Sequence, residues 1–374
     1  MIRSLVLKVA ARCNIACTYC YEYSAGDQTW RNKPRFLAPY LASQLGQRIR
    51  EYCETCKVNT MSIVAHGGEP LMLGARRLDS LFHELQVGAG PVKLSLSLQT
   101  NGLLLDREIC EVLARHRVMV GVSLDGGFHE NRHRVDFKGE NTWSRAVEGI
   151  QLLREHYPSI WGGILSVVDL ETDPVRTLDA LCAYAPPQLD LLQPYTTHDM
   201  AGVLRKQTAQ RFGNWMRRAM EHWLATRHYG GIHIRVFEDA LQSSVSGRPR
   251  TDWFGPRRVG YLVVETDGAY DVLDQLKVIG SESASFRAIR STVEAMSLTE
   301  AEGMARALLA EHGADQLPTD CEGCRWSEVC GGGHLTSRHS VRRGFDNRSV
   351  YCEGIASLLD TARQTMNAHI AHKA

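Results

Sequence analysis

Three cysteines, Cys13, Cys17 and Cys20, stand within eight residues, separated by three and then two intervening positions. Thiolates are soft ligands suited to iron–sulfur clusters. Residues 21–52 contain neither Cys nor His, so no fourth ligand follows nearby. A four-iron cluster on these three thiols would keep one iron without a protein ligand, and an open metal position is where a small molecule can bind and react. The bland alternative is a zinc loop. A second group, Cys321, Cys324, Cys330 and Cys352, is spaced by two, five and then 21 residues. Four thiols complete the ligation of a cluster, which suits electron transfer or a structural role; a zinc ribbon is the alternative. Eleven cysteines, an odd number clumped at both ends, argue against a disulfide framework and for two metal centres. Cys53 and Cys56 form a lone C-x2-C at a helix end, and Cys110 and Cys182 read as core thiols.

The elements that must position these thiols alternate between short β-branched runs and longer amphipathic segments. Strands are expected at 4–9, 62–65, 93–98, 118–124, 163–168 and 190–193. Helices are expected at 39–52, 76–85, 106–115, 142–155, 173–184 and 206–227. Such alternation implies a parallel sheet with right-handed crossovers, and six units imply a partial barrel. Active sites in such folds gather at the carboxyl ends of the strands. There the sequence places the cysteine loop, Gly67-Gly68-Glu69-Pro70, Asn101 and Gly102, and Ser123 with Asp125. The glycines let backbone approach a ligand closely, and the Glu69 carboxylate suits an ammonium group. An ordinary turn is the plain reading of that loop, and polar residues at strand ends are common.

The cysteine loop, with an aromatic just before its third Cys, resembles the radical S-adenosylmethionine (SAM) superfamily. The resemblance implies a [4Fe–4S] cluster on Cys13, Cys17 and Cys20, with the fourth iron chelated by SAM. One electron from that cluster would break a C–S bond and release a 5′-deoxyadenosyl radical able to take hydrogen from unactivated carbon. It implies Tyr19 against adenine, and Gly67, Gly68, Glu69 and Pro70 at the methionine amino group. Asn101, Ser123 and Asp125 would contact ribose and the methionyl end, and Arg134 would pair with the SAM carboxylate. The later cysteines resemble the SPASM extension of radical SAM maturases, where they hold an outer auxiliary [4Fe–4S] cluster. Many such proteins carry further thiols for an inner cluster. Here His334 stands four positions after the third Cys, and residues 261–274, read as a hairpin, lack Cys altogether. One auxiliary cluster is therefore expected, and two [4Fe–4S] clusters in all.

The glycine-rich run after Cys330, the run Val264 to Gly268 with Asp274 and Lys277, and the stretch ending at Cys352 look like the FxsB-like branch of these maturases. That branch implies a precursor peptide as substrate and a crosslink of cyclophane type, an aromatic ring joined to a Cβ. Thioether or ether crosslinking, epimerisation and formylglycine-type sulfatase maturation are the alternatives within the class. A non-enzymatic cluster- or zinc-binding protein is the alternative outside it. Asp274 follows the hairpin at the offset of a catalytic base, with Asp271 as the neighbouring candidate; a turn-stabilising carboxylate is equally natural there. A flavodoxin- or ferredoxin-type electron donor is the implied second partner.

Composition fits this reading. The 374 residues are 44% hydrophobic and 23% charged, as in ordinary globular proteins. A net charge of +1 gives no electrostatic reason to expect nucleic acid or an anionic membrane. No apolar run nears the ~20 residues of a membrane helix, and no signal-peptide pattern is present, which suggests a cytoplasmic protein without a separate N-terminal leader-binding domain. The expected organisation is a radical SAM partial barrel over 1–228, a linker or helical connection over 229–257, and a SPASM-like domain over 258–374 with hairpin, cluster and C-terminal helix.

Overall fold

The computed structural model describes residues 1–202, 205–226, 231–249, 251, 253–254 and 260–371. The expected boundary residues Arg227, His228, Gly230, Pro256 and Arg258 lie outside the described residues. Strand then helix alternate six times: β1 (Ser4–Ala10), α1 (Pro39–Cys56), β2 (Thr60–Gly67), α2 (Ala75–Ala89), β3 (Lys93–Thr100), α3 (Arg107–Arg115), β4 (Met119–Ser123), α4 (Trp143–His156), β5 (Trp161–Val167), α5 (Pro174–Cys182), β6 (Gln188–Leu192) and the helix Arg205–Ala225. This is the α/β order expected from the sequence.

The chain forms two compact units. The first comprises Met1–Leu124, Asn131–Ile164 and Val259–Leu309. In it β1 pairs in parallel with β2, β2 with β3, and β3 with β4. Central parallel strands are covered on both faces, so apolar side chains dominate them. Leu5, Leu7, Val9, Ile63, Leu98, Val120 and Val122 are buried accordingly. Lys8 breaks that pattern from within β1, opposite His66 in the β1–β2 register.

On its other edge β1 pairs in parallel with β8 (Tyr261–Val264), at Leu5↔Leu262 and Leu7↔Val264. β9 (Ala269–Asp271) returns antiparallel to β8, and β10 (Ala288–Thr292) pairs antiparallel with β9. The hairpin expected at the start of a C-terminal domain thus packs as an extension of the first sheet. The sequence offers no cue to this, because strand partners across 250 residues are set by tertiary packing. β10 was not anticipated either; its five residues alternate too weakly to stand out.

The second unit comprises Asp125–Glu130, Leu165–Arg258 and Ala310–Ala374. Val168 N donates to Leu192 O at 2.9 Å, tying the end of β5 to β6. β6 pairs in parallel with the short β7 (His233–Ile234). The helix Arg235–Ser246 lies within the stretch 229–257 expected as a linker or helical connection. The helices Arg205–Ala225 and Cys352–Ala371 cross closely at Gly213 and Gly354, where a Cβ on Gly213 would lie 2.6 Å from Gly354 Cα. No helix among the described residues is long and apolar enough to cross a membrane.

Candidate active site

The cysteine loop leaves the carboxyl end of β1 with none of its three cysteines in a disulfide. Backbone bonds hold it: Ala16 N donates to Val135 O at 2.7 Å, and Thr18 N to His133 O at 3.0 Å. The same 131–135 segment supplies Arg134, whose Nη1 donates to Tyr19 Oη at 2.7 Å. Arg134 and Tyr19, both expected at the SAM site, are therefore brought together.

Gly67 and Gly68 end β2 against this loop. Gly68 N donates to Ala10 O at 2.8 Å and Glu69 N to Arg12 O at 3.0 Å. Gly67 has φ +135°, and a Cβ there would lie 2.1 Å from Ala10 O. A Cβ on Gly68 would lie 2.2 Å from Arg12 O and 2.1 Å from Tyr23 Oη. Only glycine permits so close an approach. Glu69 is 1% exposed. Its carboxylate accepts from Leu71 N at 2.9 Å, Thr100 Oγ1 at 2.7 Å and Asn101 N at 2.8 Å. Burial raises its pKa, against these hydrogen bonds and the Arg134 charge. Three donors fix its orientation and leave acceptor capacity for one more, as an ammonium would need. Pro70 opens the short turn Pro70–Leu73 that Glu69 caps.

Asn101 Nδ2 donates to Asn14 Oδ1 at 2.7 Å and lies 3.8 Å from Cys13 Sγ. Ser123 Oγ accepts from Gln99 Nε2 at 2.8 Å. Asp125 belongs to the second unit, where its carboxylate accepts from Val167 N at 2.9 Å. That bond gives Asp125 a bracing role at the end of β5.

The thiols suit a cationic inorganic centre. Burial, then the Glu69 charge, pushes Cys13 up to about 12, and burial pushes Cys20 up to about 11. Bare, these groups stay protonated at neutral pH; metal charge is what makes them thiolates. In the second unit Cys321, Cys324, Cys330 and Cys352 line one cavity with Trp326 and Arg348. Burial, then mutual repulsion, pushes Cys330 up to about 12 and Cys321 up to about 11. The four thiols ring the cavity rather than closing on a point: among the described residues, no three His, Cys, Asp or Glu side chains converge on a single ion.

A buried charge network in the first unit was not visible in the sequence. Asp274, 6% exposed, accepts from Tyr21 Oη at 2.6 Å and pairs with Lys8 Nζ at 2.6 Å. Lys8, 2% exposed, also pairs with Glu22 at 3.2 Å and lies 3.5 Å from His66 Nδ1. Lys277 pairs with Glu22 at 2.6 Å and Glu265 at 2.8 Å. Burial alone would raise the Asp274 carboxyl, but Lys8, His66 and the hydrogen bonds outweigh it and hold it below the usual carboxylate range. Burial and the Lys8 charge push His66 down to about 4. Asp271 is held by Arg287, which also pairs with Asp27. The lone Lys8 in an apolar strand was one signal in the sequence; Glu265 and Lys277 stood there only within the motif of the family resemblance, with no cue to their ion pairs.

Residues 7–179 match the model of the radical SAM superfamily. A serine-type anaerobic sulfatase-maturating enzyme of Klebsiella aerogenes is 28% identical over 351 residues, covering 90% of this chain and 81% of the relative. A cysteine-type anaerobic sulfatase-maturating enzyme of Clostridium perfringens is 22% identical, covering 96% of each. The structure of native anSMEcpe with bound AdoMet is similar with a TM-score of 0.80 and 21% identity, covering 99% of this chain and 100% of that one. That of anSMEcpe with AdoMet and the Cp18Cys peptide gives 0.81 and 20%, covering 99% of each. At such identity the structural likeness speaks to the fold. None of these similarities singles out the FxsB-like branch; the relatives are sulfatase-maturating enzymes, the alternative within the class. Residues 7–179, with the three-cysteine loop at the end of β1, are a radical SAM domain, and such a domain marks an enzyme.

Proposed function

We propose that the protein is a maturase that oxidises a side chain of a peptide or protein at Cβ, by the sulfatase-maturating type of reaction. One observation carries the reading: three thiols outside any disulfide beside the Gly67-Gly68-Glu69 loop, with Asp274 held ionised in the same unit. Cys13, Cys17 and Cys20 would hold the reactive cluster, and Glu69, Asn101, Ser123, Arg134 and Tyr19 the SAM. When bound, SAM supplies a radical that removes one hydrogen atom from carbon. A net two-electron oxidation then leaves one proton and one electron to dispose of.

Asp274 is the proposed proton acceptor. Its network sets two ammonium groups, Lys8 and Lys277, against three carboxylates, Glu22, Glu265 and Asp274. That excess of one negative charge lets the network take up a proton without stranding a cation. The electron needs an acceptor, and Cys321, Cys324, Cys330 and Cys352 would hold an iron–sulfur cluster able to take it. A flavodoxin- or ferredoxin-type protein would serve as the external donor.

A crosslinked product is the second reading. It is favoured by the hairpin: where an inner cluster would need thiols, β8, β9 and the following turn carry the Lys277–Glu265 and Arg287–Asp271 pairs. The test is mass spectrometry of a sulfatase-type peptide, in Ser and Cys forms, after incubation with reconstituted enzyme, SAM and dithionite. An aldehyde captured by a hydrazide reagent is the expected result. A loss of two hydrogens with no capturable aldehyde, mapped to two residues, would replace this reading by crosslinking.

A further inference from the structure

The four thiols of the second unit share their cavity with one charged side chain. Among the described residues that line it beside Cys321, Cys324, Cys330 and Cys352, Arg348 alone carries a charge. Arg348 also lines a polar cleft of ≈ 450 Å³ on the same unit, which Cys352 reaches as well. Nearby guanidinium groups are spent on carboxylates. Arg325 pairs with Asp360, and Arg343 with Asp320 and Asp346, whereas among the described residues Arg348 makes no ion pair.

The backbone that carries Arg348 is fixed. Its carbonyl accepts from His198 Nε2 at 2.8 Å. On either side, Asn347 Nδ2 donates to Arg338 O at 2.9 Å, and Ser349 N to Gly332 O at 3.1 Å. Four residues on, Cys352 opens the helix Cys352–Ala371, whose N-terminal dipole adds a partial positive charge at that thiol. Burial raises the Cys352 thiol above its ordinary value, against the Arg348 charge. The opposing carboxylates are Glu353, which is exposed, and Asp320, already paired with Arg343.

A cluster on four thiolates is an anion and gains one more negative charge on reduction, so a cation beside it favours the reduced form. Arginine suits that task, because its charge does not titrate.

We propose that Arg348 sets the reduction potential of the cluster on Cys321, Cys324, Cys330 and Cys352, raising it so that an electron is taken up more readily. The inference rests on the maturase reading, in which the peptide left after hydrogen removal gives up one electron and one proton. The electron reduces this cluster by one, and Asp274 takes the proton.

The test is a redox titration followed by EPR on the full chain carrying Cys13→Ala, Cys17→Ala and Cys20→Ala, so that the second cluster is read alone. At a fixed potential, Arg348→Gln should lower the ratio of reduced to oxidised cluster about tenfold, a midpoint fall of about 59 mV for a one-electron couple. Arg348→Lys keeps the charge and should restore most of the loss. Lys206→Gln removes a cation that lines the cleft but not the thiol cavity. It should shift the ratio less than about twofold, since exposed charges farther off are screened. Iron content and melting temperature should match in all four proteins. An unchanged midpoint in Arg348→Gln would overturn the proposal. So would an equal fall in Arg348→Lys, which would show that charge is not the cause. Loss of iron from Arg348→Gln would also sink it, by assigning the side chain to holding the cluster, as would zinc in place of iron in the parent chain. A wild type that oxidises no peptide while these shifts appear keeps the inference and loses the maturase reading. Product formation without the shifts does the reverse.

Discussion

Lys8 and Asp274 show how far one residue pair can serve two purposes. The ammonium holds the carboxylate ionised in a site that would otherwise protonate it. Removing one partner of a buried pair strands the other, at about 3–5 kcal/mol. Lys8→Met should therefore lower stability by that order, read as a fall in melting temperature. Asp274→Asn should cost product formation about 10²-fold or more if the carboxylate takes the proton, measured as product per 5′-deoxyadenosine formed. The sign with pH follows from the same pair. The folded pKa of Asp274 lies below its ordinary value of 3.8, so its contribution to stability is fully present above that value and is lost as pH falls from there through the lower folded pKa. Melting curves of wild type and Asp274→Asn should converge as the pH drops below about 4; a constant gap would show that the ion pair is not its source.

At the scale of elements, close backbone approach decides what can be changed. β2 meets the cysteine loop through Gly68, where a Cβ would strike the Arg12 carbonyl and the Tyr23 hydroxyl. The carbonyl is backbone and cannot swing aside as a side chain can. Gly68→Ala should push the Glu69 loop away from the thiols and weaken SAM binding at least tenfold by calorimetry, because a misplacement of about 1 Å is enough to cost 10²-fold in such sites. The helix pair at Gly213 and Gly354 is equally tight. Gly354→Ala overpacks that crossing and should destabilise the second unit by about 1–3 kcal/mol, seen as earlier unfolding with no change in SAM affinity.

For the molecule as a whole, the cysteine inventory sets the count of metal centres. Two four-iron clusters give roughly eight irons per chain. Replacing Cys13, Cys17 and Cys20 together by Ala should leave roughly four by iron and sulfide analysis; roughly twelve in the wild type would reveal an inner cluster held by other ligands. The hairpin offers no thiol for one, and its polar side chains at Glu265 and Asp271 are engaged in ion pairs. The two compact units also divide the two cysteine groups, the first holding Cys13 to Cys20 and the second Cys321 to Cys352.

Local pattern made the strands, helices and thiol spacings legible, because periodicity, glycines and Cys intervals are written over a few residues. The α/β order, the cysteine loop at the end of β1 and the Gly67-Gly68-Glu69-Pro70 loop at the end of β2 were all readable in this way. What tertiary structure alone decided is which distant residues share one buried space. Lys8, Tyr21, Glu22, Glu265, Asp274 and Lys277 come from two distant segments, 8–22 and 265–277, and they meet because β8 pairs with β1. Charge pairing and burial are properties of contact, and contact at long range is what a linear sequence does not state.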